Sequence, residues 1–213
     1  KLGEVKVVKG ANWEEEIGAA TEVVQHSENG PAVIFDEIPG FPKGFRVLTN
    51  FFGGKRKNMT LGFPQGLNRM ELGEAFVENY LKDMKTVPYK EVETGPICEN
   101  ILTGDDVDVM KFPVPKWHER DGGRYMGTGS YNVTRDPDDG WINVGTYRVM
   151  IQNKNTVGFY ISPGKHGRIH RDKYAARGEM MPAIVVPGGD PLSFLMAQSE
   201  VPYGTCEFDL VGA

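Results

Sequence analysis

The stretch Tyr131–Gln152, YNVTRDPDDGWINVGTYRVMIQ, decides how the second half of this chain folds. Two strand-like runs, Tyr131–Thr134 and Trp141–Gln152, flank the segment DPDDG at Asp136–Gly140. A turn of that composition, with glycine where a positive φ is tolerated, predicts an antiparallel hairpin. Working outward, Val157–Ile161 supplies a third strand, Ile169–Arg177 a short helix and Ala183–Val186 a buried strand. A further helix, Pro191–Ala197, opens after Asp190. This succession fits a β-barrel or sandwich with inserted helices better than a doubly wound sheet. The GTG at Gly127–Gly129 falls short of a full GxGxxG and lies between strands, so it carries no weight as a dinucleotide fingerprint.

The same stretch contains NVGTYR, Asn143–Arg148, and two metal-type side chains follow it: His166 in SPGKHGR and Glu207 in CEFD. An amide oxygen, an imidazole nitrogen and a carboxylate form a mixed, mainly hard donor set. Such a set suits Mn²⁺ or Mg²⁺ beside a phosphate and suits a structural zinc poorly. Taken singly, Asn143 reads as a strand-end polar residue, Arg148 as a surface charge and Glu207 as a solvated acid. In SPGKHGRIH, Pro163, Gly164 and Gly167 allow close backbone approach, while Lys165, Arg168 and His170 add charge that would suit a phosphate. A plain basic turn is the competing reading. Arg148 lies five residues after Asn143, so on one regular strand the two point to opposite faces unless the chain bulges or twists at Gly145.

Toward the N-terminus the pattern is that of a small mixed domain. Val5, Val7 and Val8 predict a strand. Asn12 is an N-cap candidate for a helix with Glu14, Glu15 and Glu16 in its first turn, ended by His26–Pro31. Ala32–Phe35 and Arg46–Thr49 read as short strands. Asn68–Met84 has helical spacing, with Leu72, Phe76, Val77 and Leu81 forming a core-facing side. From Thr86 to Pro115 four prolines and the acids Asp105, Asp106 and Asp108 predict an extended crossing between domains.

Composition narrows the functional classes. At 213 residues and 39% hydrophobic, the chain can bury a substantial core. Its longest apolar runs, Ala183–Val186 among them, are far below the roughly 20 residues of a membrane helix, so no membrane association is expected. Cys98 and Cys206 form no disulfide framework, and a reducing cytoplasm is the expected location. A net charge of −5 with only Lys55, Arg56 and Lys57 as a basic cluster reads as a solvated turn; no nucleic-acid partner is expected. The start at Lys1 and the strand-like ending DLVGA suggest a portion of a longer polypeptide.

The ordered blocks KWHERDGG (Lys116–Gly123), GTG, NVTRDP, NVGTYR, SPGKHGR, GGDP (Gly188–Pro191), VPYG and CEFDLVGA resemble the UbiD family of prenylated-flavin-dependent (de)carboxylases. The resemblance covers roughly residues 100–213, and the first hundred are similar to the family's small N-terminal α/β domain. It implies an α+β chain: an N-terminal α/β domain with linker over 1–100, then a split β-barrel of the flavin-reductase type over 101–213, lacking the C-terminal oligomerisation domain. It implies that Asn143, His166 and Glu207 hold Mn²⁺ (or Mg²⁺) against the flavin phosphate. It places Val144, Met196, Ala197, Ser199 and Glu207 around K⁺, largely through backbone oxygens. Asn143, Val144, Gly145, Thr146, Tyr147, Arg148, Lys165, His166 and Glu207 would line prenylated FMN, with Arg148 as the catalytic arginine.

The implied activity is reversible, non-oxidative decarboxylation of an aromatic, heteroaromatic or α,β-unsaturated carboxylic acid. A flavin prenyltransferase would supply the cofactor, and homo-oligomers are expected. The family's proton-donating acid would lie beyond Ala213, so the 213-residue chain alone is expected to be inactive. Two other readings stand beside this one: a flavin- or metal-binding module without turnover, and a flavin-reductase-like oxidoreductase. The His166 and Glu207 pair argues against the last.

Overall fold

The computed structural model describes residues 3–82, 86–127 and 129–213. The expected helix end at Met84 and the centre of the GTG block, Thr128, lie outside them. Residues cluster into two compact units. Among the described residues, one comprises 3–75, 109–126 and 150–157; the other comprises 76–82, 86–108, 127, 129–149 and 158–213.

The first unit is built on a three-stranded sheet, with β1 (Val5–Lys9) parallel to β2 (Ala32–Asp36) and β2 antiparallel to β3 (Val47–Thr49). Between β1 and β2 runs α1 (Glu16–Gln25). The Asn12 side chain accepts from the Glu14 amide at 2.9 Å while Glu16 accepts from the Asn12 amide at 2.7 Å. This closed turn uses up the predicted cap, and the helix starts at Glu16 with a single acid in its first turn. Ile17, Val33, Phe35 and Ile38 form the core, with Trp13, Phe41 and Trp117 packed against it. Gly18 is required there, since any Cβ would run into the Trp117 carbonyl.

Lys55–Lys57 do not form the expected solvated turn. They open α2 (Lys55–Thr60), and Arg56 is buried, donating to Glu4 at 2.8 Å and to the carbonyls of Gly30 and Asn50. A guanidinium that satisfies two carbonyls and a carboxylate is a structural tie. Asn68 caps α3 (Arg69–Phe76), accepting from the Met70 and Glu71 amides while Glu71 accepts from the Asn68 amide at 2.8 Å. The helix continues as a π turn over Val77–Leu81. Leu72 and Phe76 are only half-buried, and Val77 and Leu81 are exposed, so the expected core face is not buried within the described residues.

In the second unit β4 (Ser130–Arg135) is the middle strand, antiparallel to both β5 (Ile142–Gly145) and β8 (Ala183–Pro187). The predicted hairpin is present: Gly140 has φ +80°, and the Asp136 side chain accepts from the Asp138 amide at 2.8 Å. The second run does not stay one strand. It breaks at Thr146 and Tyr147 and resumes as β6 (Arg148–Asn153), which pairs with β7 (Thr156–Tyr160). β8 is a half-exposed edge strand, not the buried one expected.

Helix α4 (His166–Ala176) begins three residues earlier than its sequence pattern suggests. Asp190 caps α5 (Pro191–Met196), accepting from the Ser193 amide at 2.9 Å. The strand-like ending is instead the short helix α6 (Glu207–Val211). The fold is mixed α/β with small sheets, and no closed barrel is formed among the described residues.

Candidate metal and cofactor site

A cavity of about 350 Å³ opens within the second unit, walled by the β5–β6 corner, the loop at 164–166, the segment 197–201 and Glu207. Its position follows from the hairpin. Trp141–Gly145 carries Asn143 inward, and the break at Thr146–Tyr147 turns the backbone along the cavity edge, where the Thr146 amide donates to the Ala197 carbonyl at 3.2 Å.

Three of the expected metal donors meet here. Asn143, 2% exposed, uses its amide nitrogen twice, donating to Thr134 Oγ1 and to Tyr147 Oη, each at 3.1 Å. Among the described residues its Oδ1 accepts no hydrogen bond. Glu207, 3% exposed, accepts from the Val144 amide at 2.7 Å through Oε2. Burial pushes its carboxyl up to about 7, and the backbone donors at Val144 and Glu207 only partly oppose it. No cation of the described residues is bonded to it. His166 opens α4; burial, then the neighbouring Lys165 charge, lowers its imidazole below the ordinary value, keeping it in the neutral form a metal requires. Among the described residues no three His, Cys, Asp or Glu side chains form a metal-sized cluster.

The other expected residues divide. Val144, Gly145, Thr146, Tyr147, Lys165, Ala197 and Ser199 all line the cavity. Met196 is buried and does not line it. Its carbonyl already accepts from the Ser199 amide at 2.9 Å, as Ala197's does from Thr146. Arg148 is exposed outside the lining, its guanidinium 5.9 Å from the Tyr160 ring centre. Of the three positive charges read toward a phosphate, only Lys165 reaches the cavity. Arg168 pairs with Asp172 at 3.0 Å, and His170 is fully enclosed.

Sequence reasoning passed over the polar interior behind the site. Asn132, Thr134 and Asp136 alternate along β4 and its turn, all at most 1% exposed. That period of two within NVTRDP was a legible signal for one buried face of a strand, but a row of polar residues reads as solvent-facing. Asp136 accepts from Lys173 at 2.6 Å and from Tyr203 at 3.3 Å. Burial pushes the Asp136 carboxyl up, but the Lys173 hydrogen bond and the Asp138 amide outweigh it, and the net shift is downward. Trp141 packs edge-on against both His166 and His170.

Residues 90–213 match the UbiD family, described as the 3-octaprenyl-4-hydroxybenzoate carboxy-lyase Rift-related domain, and residues 1–79 match its N-terminal domain. The chain belongs to the UbiD family. Among similar curated proteins is a pyrrole-2-carboxylic acid decarboxylase of Pseudomonas aeruginosa, 32% identical over 204 residues, covering 93% of this chain and 41% of the relative. A phenolic acid decarboxylase of Sedimentibacter hydroxybenzoicus is 30% identical over 220 residues, covering 98% and 44%. The closed-form structure of vanillic acid decarboxylase from that organism superposes with a TM-score of 0.90 at 28% identity, covering 99% of this chain and 45% of its own. The UbiD-class enzyme HmfF of Pelotomaculum thermopropionicum, solved with prFMN, has a TM-score of 0.82 at 24% identity over 99% and 47%, and shows the shared fold. This UbiD-family chain thus spans less than half the length of these relatives. No helix of the described residues is long and apolar enough to cross a membrane.

Proposed function

We propose that this chain carries the metal and cofactor end of a reversible decarboxylase acting on an aromatic, heteroaromatic or α,β-unsaturated carboxylic acid with prenylated FMN. The observation that carries the reading is the convergence of Glu207, Asn143, His166 and Lys165 on one cavity of UbiD-family sequence. A divalent cation fits this donor set. It would neutralise a buried carboxylate that has only a backbone partner, and it would take up the oxygen that the Asn143 amide leaves free. The phosphate of a flavin mononucleotide fits beside it, within reach of the Lys165 ammonium and the polar backbone at Thr146 and Gly164. The names of the relatives support an aromatic or heteroaromatic acid as substrate.

Prenylated FMN, when bound, supplies the electron sink that no protein side chain offers for the electron pair left on carbon as CO₂ departs. The protein's share is placement and charge. Asn143, His166 and Glu207 would hold Mn²⁺, or Mg²⁺, as an electrostatic template for the phosphate. Lys165 complements the remaining negative charge. Val144, Met196, Ala197, Ser199 and Glu207 would hold K⁺, the two carbonyls using their second lone pairs. Arg148 offers a planar fork to the substrate carboxylate, or holds the acid that protonates the product carbon. Gly145 to Tyr147, which line the cavity, would run along the cofactor edge. The split-barrel arrangement over 101–213, homo-oligomerisation and cofactor supply by a flavin prenyltransferase belong to the same reading.

The test is CO₂ release and the visible spectrum of the full-length polypeptide produced with and without a flavin prenyltransferase. Activity that needs the prenyltransferase supports the reading; equal activity without it contradicts the mechanism.

A further inference from the structure

Behind Asn143 lies a chain of polar groups whose hydrogen-bond direction can be worked out. Asn143 Nδ2 and Thr134 Oγ1 are 3.1 Å apart, and Thr134 Oγ1 is 3.0 Å from His170 Nδ1. All three side chains are at most 2% exposed. A threonine hydroxyl has one proton to give and two lone pairs to accept with; were both neighbours to donate to it, its buried proton would find no acceptor among the described residues, so two satisfied arrangements remain. In the first, Asn143 donates to Thr134, Thr134 donates to His170 Nδ1, and the imidazole proton sits on Nε2. In the second every direction reverses. His170 donates from Nδ1, Thr134 donates to an Asn143 oxygen turned inward, and the amide N–H₂ faces the cavity.

The far end of the chain decides between them. Among the described residues His170 Nε2 has no hydrogen-bond partner, and the group it faces is Asp136 Oδ2 at 3.6 Å. That distance is too long for a hydrogen bond, yet in a buried site the carboxylate's field is weakly screened, and at His170 it outweighs the opposing Lys173 charge. An Nε2–H directed at the carboxylate is favoured. A bare Nε2 lone pair against it is repelled, and Asp136 is held ionised by Lys173 at 2.6 Å. Tyr147 cannot reverse the outcome, because its hydroxyl accepts from the Gly167 amide at 3.1 Å and can rotate its own proton to suit either state.

We propose that Thr134 and His170 are positioning residues which, set by Asp136, keep the Asn143 amide nitrogen turned into the protein and its oxygen turned toward the bound divalent cation. The inference rests on the metal reading of the Asn143, His166 and Glu207 site. An inverted amide would present two N–H groups to the cation and lose a ligand. Outer groups that orient a metal ligand are typically worth about 10- to 100-fold in affinity. The same chain accounts for the block NVTRDP, which supplies both Thr134 and Asp136.

The test uses the intact protein and Mn²⁺ alone, titrated by calorimetry or by loss of the free-ion EPR signal, with folding checked by circular dichroism. Thr134→Val keeps shape and removes both hydrogen bonds, and should weaken Mn²⁺ by about 10- to 100-fold, while Thr134→Ser should return to within about threefold. A purely structural role would lower the melting temperature of Thr134→Val without changing Mn²⁺ affinity where the protein is folded. ¹⁵N NMR of the unsubstituted protein, which needs no variant, should show His170 as the neutral Nε2–H tautomer. Unaltered Mn²⁺ affinity in folded Thr134→Val, or an Nδ1–H tautomer at His170, would overturn the inference and leave the metal reading standing. Absence of Mn²⁺ binding by the unsubstituted protein would overturn that reading itself, and this inference with it.

Discussion

Two buried carboxylates in the second unit have opposite fates. Asp136 is 1% exposed and Glu207 3%. Asp136 has an ammonium at 2.6 Å, a phenol at 3.3 Å and a backbone amide at 2.8 Å, and its net shift is toward the ionised form. Among the described residues Glu207 has backbone donors only, and burial drives it to about 7. Burying a charge is costly unless it is compensated. Asp136 is compensated by the protein and acts as scaffold. Glu207 faces a cavity beside an amide and an imidazole, and its compensation is expected from a bound cation.

The sharpest way to break this comparison is to neutralise each group in turn. The rise of Glu207 from 4.5 to about 7 corresponds to about 3 kcal/mol of lost stability at pH 8 in the metal-free protein. Glu207→Gln should recover up to that amount in denaturant unfolding, and should weaken Mn²⁺ by more than about 100-fold. Asp136→Asn should do the reverse to stability and lower the melting temperature, since Lys173 and Tyr203 lose their shared acceptor.

A smaller effect follows from pH. Between about pH 4.5 and 7 folded Glu207 keeps a proton that the unfolded chain has released. Its contribution to stability therefore falls as pH rises across that window and is flat above it. The unfolding free energy of wild type minus that of Glu207→Gln should trace this fall, and saturating Mn²⁺ should abolish it. Asp136 has the opposite sign, because its folded value is depressed. Its contribution is present at neutral pH and is lost only as pH falls below the ordinary 3.8.

Next comes the packing that shapes the site. A Cβ on Gly167 would stand 2.7 Å from Tyr147 Oη. Gly167→Ala should cost about 1–3 kcal/mol of stability despite alanine's better helix propensity, and should weaken Mn²⁺ by displacing Tyr147 from Asn143. Least affected should be metal binding in Arg148→Ala. Arg148 lies outside the cavity lining, so Mn²⁺ affinity should stay within about twofold while CO₂ release by the cofactor-loaded full-length polypeptide collapses by about 10² or more. A parallel loss of metal would place Arg148 in the site after all.

The hairpin was legible because DPDDG combines turn-forming acids with a glycine at φ +80°, and the site was legible because its donors are unusual types in recognisable blocks. What escaped was set by tertiary context. DLVGA has strand-like residues, yet it forms helix α6, which Glu207 opens and whose Phe208 packs on the hairpin core. The four-residue apolar run at Ala183–Val186 cannot reveal that its strand lies at a sheet edge. His170 looked like a phosphate-binding charge because sequence proximity to Lys165 says nothing about direction. As the fifth residue of α4 it lies one turn beyond His166 and is fully enclosed beside Thr134. Arg148 escapes the cavity because the break at Thr146–Tyr147, close to the expected Gly145, redirects the strand without turning the guanidinium inward.

The central claim is that Asn143, His166 and Glu207 form one divalent-cation site. Pulsed EPR of the Mn²⁺-loaded protein reads it most directly. A ¹⁴N coupling from a directly bound imidazole is expected, and it should vanish in His166→Ala together with most of the bound Mn²⁺. Mn²⁺ bound with unchanged affinity and an unchanged spectrum in His166→Ala would contradict the account.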